Sequence, residues 1–126
     1  MKRCGVMAGG DEQGRKAVKI RLKSVRDLVR LAASSIALGQ PTYILRYEVN
    51  GKIVYGVMAV FRDFYKLYGI PLLYYVEGAD EVPEDANYAL LRSNDVEERI
   101  EFSKGAKAGY VIIPIINVTE PPEFLL

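Results

Sequence analysis

The chain has no histidine and no tryptophan, one cysteine and only two glutamines in 126 residues. Each shortage removes a class of chemistry. Without histidine, the commonest general base and the commonest metal ligand are missing. A Ser–His triad and a zinc site of the ordinary type are excluded. The lone cysteine, Cys4, cannot form an internal disulfide, which suits a reducing, cytoplasmic setting. It lies in the stretch MKRCGVMAGGDEQG, where no base is placed to make it a nucleophile. No apolar run is long enough to span a bilayer, and the N-terminus does not read as a secretory signal. Neither GxGxxG nor the P-loop pattern occurs. Few thermolabile amides beside many ion-pairing residues is a thermophile-like bias.

The residues that are present read as one globular domain. Half are hydrophobic and 26% are charged, enough to build a core in a chain of this length. Residues 1–14, with four glycines, read as a disordered tail, and residues 15–126 as a single α+β domain. The net charge of +1 hides a separation. Residues 1–30 hold nine Lys/Arg against three Asp/Glu, and residues 77–101 hold nine Asp/Glu against two Arg. The first is a local basic footprint. The second offers oxygen ligands, including Glu77, Asp80, Glu81, Glu84 and Asp85, without the spacing of an EF-hand loop. We expect no metal and no cofactor.

The chain is organised around residues 42–76. There TYILRYEV and KIVYGVMAVF flank Asn50-Gly51, a pair suited to the two positive φ angles of a type I′ turn. A two-residue turn sets the whole register. Val49 faces Lys52, Tyr47 faces Val54, Leu45 faces Gly56 and Tyr43 faces Met58 on one side of the hairpin. Glu48 with Ile53, Arg46 with Tyr55, Ile44 with Val57 and Thr42 with Ala59 share the other. The first side is the more apolar and is expected to face the core. The second is either half-covered by another layer or leaves Arg46 and Tyr55 on an open platform.

Strict alternation over 17–23 predicts a strand with Lys19, Arg21 and Lys23 solvated. Ser24, with Asp27 three residues on, opens a helix over 25–38 with the stripe Val25, Leu28, Val29, Ala32 and Ile36. Gly39 and Pro41 end it. Arg26 and Arg30 face outward together on it. Phe61, Phe64, Tyr65 and Tyr68 recur at helical spacing and predict a short second helix near 62–68. Strands are expected over 70–76, 87–92 and 110–118. Residues 96–102 suit one helical turn, or a strand with Ile100 and Phe102 inward. Pro114 makes 110–118 an edge or bulged strand, open to pairing with another copy.

The strand–helix–strand–strand–helix–strand order over 17–76 resembles the ferredoxin-like arrangement that RNA-recognition modules use. Only the Tyr55-Gly56 step matches their aromatic sheet motif. The fold expected is a mainly antiparallel sheet built on the 42–61 hairpin and covered by the 25–38 helix. Aromatic residues interleaved with Lys and Arg are the one positive chemical signal. Rings stack unpaired bases, at about 1–3 kcal/mol each, while cations track phosphates. The function expected is non-enzymatic nucleic-acid binding, preferring single strands. Its residues are Lys19, Arg21, Lys23, Arg26, Arg30, Arg46, Tyr55, Arg62, Tyr65 and Lys66. The alternative is a homo-oligomeric assembly module that pairs through strand 110–118 or the terminal Phe124-Leu125-Leu126.

Overall fold

Alternation and helical spacing each produce the element they predict at the start of the chain. Strand β1 (Val18–Arg21) leads through Ser24 into helix α1 (Val25–Ala37). The hairpin follows as β2 (Thr42–Val49) and β3 (Lys52–Ala59). Then come β4 (Lys66–Leu67), β5 (Ile70–Glu77), β6 (Tyr88–Ser93), β7 (Glu98–Ser103) and β8 (Val111–Val118). The structure is a computed structural model that describes residues 18–59, 66–67, 70–77 and 82–119. The tail 1–14 and the terminal Phe124-Leu125-Leu126 lie outside those residues.

Asn50 and Gly51 have φ of 52° and 79°, the type I′ pair. All eight cross-strand pairs, from Val49–Lys52 to Thr42–Ala59, take the expected register. The ends of α1 also follow their chemistry. The Ser24 hydroxyl accepts from the Asp27 N–H at 3.2 Å. At the other end the Gly39 N–H donates to the Ile36 carbonyl and the Gln40 N–H to the Ser35 carbonyl, a Schellman closure with Gly39 at φ 90°.

The sheet itself corrects the expectation. It is mixed rather than mainly antiparallel, in the order β1-β5-β3-β2-β8-β6-β7, with β4 on β5. β1 runs parallel to β5, and β2 runs parallel to β8. One helix, not two, occurs among the described residues. Where a second helix was expected near 62–68, residues 66–67 form β4, paired with Ile70 and Pro71. At those two residues strand pairing with β5 outweighs helical spacing. β5 also separates β1 from β3, which the ferredoxin-like order does not allow. Residues 98–103 take the strand alternative.

Strand β8 is not an edge. It lies between β2 and β6. Pro114 is tolerated because the β2 ladder begins only at Ile115, so its missing N–H costs no bond there. Its first half pairs with β6 and its second half with β2.

The side of the hairpin that faces the main core is also reversed. Helix α1 packs Val25, Leu28, Val29 and Ala32 against Ile44, Tyr55 and Val57, with Val76, Ala89 and Ile113 from the flanking strands. A crossover between parallel strands has a preferred hand, so the positions of β1 and β2 in the sheet select the helix side. The opposite side forms a smaller cluster of Tyr47, Val49 and Val54, with Leu45, Tyr75 and Val118 against it. Leu28 is at the centre of the larger cluster. Leu28→Ala should lower the unfolding free energy by about 2–5 kcal/mol, read as a lower denaturant midpoint at unchanged slope.

Candidate functional site

The parallel pairing of β1 with β5 places Lys19 opposite Leu73 and Arg21 opposite Tyr75. Antiparallel pairing of β5 with β3 then sets Tyr75 opposite Gly56 and Glu77 opposite Val54. Side chains alternate along a strand, so Lys19, Arg21, Lys52, Val54, Tyr75 and Glu77 share the face away from the helix. At its end, beside the Asn50-Gly51 turn, is a shallow concavity of about 300 Å³ lined by Lys19, Val49, Asn50, Lys52, Val54, Tyr75 and Glu77. Lys19 and Lys52 are exposed, and Tyr75 is half-buried.

The cations divide into satisfied and free groups. Arg30 is held on both sides. Its Nη1 donates to Asp27 at 2.7 Å, and its Nε and Nη2 donate to Glu98 at 3.0 and 2.8 Å. This clamp joins the basic and acidic segments of the chain. It holds the Glu98 carboxyl below its ordinary range. Arg26 adds a weaker field to the same carboxylate. Lys104 pairs with Asp85, and Lys107 with Glu101. Glu101 also accepts from the Tyr110 hydroxyl at 2.7 Å, and the lysine and the phenol together draw its pKa down. Lys19, Arg21, Lys23 and Lys52 make no ion pair or side-chain hydrogen bond among the described residues.

The expected residues therefore separate. Lys19 and Arg21 lie on the face away from the helix, and Lys23 sits exposed between β1 and α1. Arg26 and Arg30 belong to the helix layer and are not brought to them. Arg46 and Tyr55 do pair, with the guanidinium 5.6 Å from the ring centroid. They form no platform, because Tyr55 is only 1% exposed and Arg46 donates to the Glu84 carbonyl at 3.2 Å. The ring is core, sealed by the helix. Arg62 and Tyr65 lie outside the described residues, and Lys66 is placed in β4 by its backbone alone.

Sequence reasoning missed Lys52, Asn50, Tyr75 and Glu77. The hairpin register already put Lys52 beside Val54, but only the β1–β5 pairing brings Lys19 and Tyr75 next to them. Among the described residues no three acidic or cysteine side chains lie together as a metal site, and no helix is long and apolar enough to cross a membrane. Burial pushes the Tyr47 phenol up, so it stays neutral. Comparison with protein-family models, curated proteins and solved structures finds no significant match.

The lowered carboxyls of Glu98 and Glu101 give a pH dependence. Their folded values lie below the ordinary 4.5. Their contribution is complete above that pH and disappears as pH falls through the folded values. Glu98→Gln should lower the melting temperature at pH 7, and its melting curve should converge on wild type in strong acid. Differential scanning calorimetry across pH 2–7 checks this.

Proposed function

We propose that the protein is a non-enzymatic nucleic-acid-binding protein that takes single strands at the Lys19–Lys52–Tyr75 concavity. One observation carries the reading. Among the described residues Lys19, Arg21 and Lys52 around Tyr75 have no ion pair, while Arg30, Lys104 and Lys107 are neutralised by acids of the same chain. Free lysines beside a half-buried ring suit a phosphate next to an unpaired base. Asn50 adds an amide able to donate to phosphate or to a base edge. Glu77 is the one acid in the lining and disfavours a second phosphate at that spot. A duplex hides its base faces, so stacking on Tyr75 favours single strands. Arg21 extends the cationic track along β1. A cytoplasmic setting accords with the lone Cys4.

The test is fluorescence anisotropy with labelled single-stranded and duplex oligonucleotides at low and moderate salt. Binding should prefer single strands and weaken steeply with salt. Lys19→Ala and Lys52→Ala should each weaken binding and reduce the salt slope by about one. Tyr75→Ala should cost about 1–3 kcal/mol, mostly on single strands. No binding at low salt, or binding indifferent to all three variants, would overturn the reading.

A further inference from the structure

We propose that β7 pairs antiparallel with β7 of a second copy about a two-fold axis at Ile100, joining two sheets into one. This goes beyond nucleic-acid binding and uses none of the residues of that site. β7 ends the described sheet opposite β1. The Asn94 N–H donates to the Glu97 carbonyl, and the Ser103 carbonyl accepts from the Asn87 N–H. Odd-numbered positions of this hairpin strand therefore turn their backbone groups toward β6. Alternation leaves the N–H and C=O groups of Glu98, Ile100 and Phe102 directed at the open side.

The strand is self-complementary in the register centred on Ile100. Ile100 then faces the partner's Ile100, and Glu98 faces the partner's Phe102. Each of these pairs brings outward backbone groups together, for about six new hydrogen bonds. Arg99 meets the partner's Glu101 on the side away from the helix. Arg99 is free to do so: it is 54% exposed and touches Glu97 only at 3.5 Å. Glu101 is already held in place by Lys107 and Tyr110. On the helix side, half-buried Ile100 and Phe102 gain apolar neighbours. The Arg30 clamp keeps the Glu98 carboxylate drawn toward α1. Shifting the axis to Glu101 would set Glu101 against the partner's Glu101, so charge selects the first register.

The two ends of the sheet contrast. β1 offers the exposed cations Lys19 and Arg21, and two such edges would repel. β7 carries no proline, bulge or like-charged row. The apolar Val96, 92% exposed, sits at the tip of its hairpin. Such a two-fold contact closes at two copies.

Light scattering during size exclusion, over a range of protein concentrations, tests this. Wild type should show twice the 14.1 kDa of one chain. Arg99→Glu sets like charges against each other in both pairs and should weaken association by about tenfold or more. Glu101→Arg should do the same. Mixing the two variants restores an acid opposite a base on both sides, and should restore the doubled mass. Amide exchange at Ile100 and Phe102 should be slow in wild type and fast in Arg99→Glu. A wild-type monomer at every concentration, or a dimer unmoved by either variant, would overturn the proposal. So would a mixture that fails to re-associate while both variants keep the wild-type circular dichroism.

Discussion

The Asn50-Gly51 turn constrains everything around it. Positive φ at two successive residues is a conformation few dipeptides adopt readily, and it allows one register for β2 and β3. That register sets the phase of both faces at once. Ile44, Tyr55 and Val57 fall under α1, while Tyr47, Val49 and Val54 fall on the other side. A slip of one residue would exchange the two sets and put Arg46 and Glu48 where the second cluster now packs. The remaining strands join on either side of this pair: β5 and β1 beyond β3, and β8, β6 and β7 beyond β2.

Charge is distributed according to the same geometry. Among the described residues, four acids of the acidic segment pair with cations of the same chain, through Arg30–Glu98, Arg99–Glu97, Lys104–Asp85 and Lys107–Glu101. These are exposed pairs and each contributes little to stability. Their larger consequence is to commit Arg30 of the helix layer to acids of the same chain. Among the described residues, Lys19, Arg21, Lys23 and Lys52 stay unpaired, as do Arg26 on α1 and Arg92 on β6, but of these only Lys19 and Lys52 line the concavity with Tyr75. That is why the nucleic-acid reading moves from the Arg46–Tyr55 pair to the opposite face of the sheet.

The two end strands of the described sheet differ for an equally simple reason. An unpaired strand presents backbone groups that another chain can use. β1 is short and basic, so like charge guards it. β7 sets Arg99 and Glu101, of opposite sign, on either side of Ile100, which suits the self-pairing we propose. The pairing we propose uses β7, while like charge opposes the same contact at β1.

The hairpin, its register, the helix and both helix ends were legible in the sequence, because each depends on residues within a few positions of one another. The mixed strand order was not. Pro114 suggested an edge, yet β8 is interior because the proline precedes the ladder it would have interrupted. The aromatic spacing at 61–68 suggested a helix, yet residues 66–67 form a strand. The candidate site was half legible: Lys19 and Arg21 stood out, but proximity along the chain grouped them with Arg26 and Arg30. By itself the sequence determined local geometry, through turn chemistry, capping and alternation. Only the tertiary structure decided which face the helix covers and which cations are left free. Those depend on pairings between residues far apart in the chain, where total burial rather than any local preference selects the arrangement.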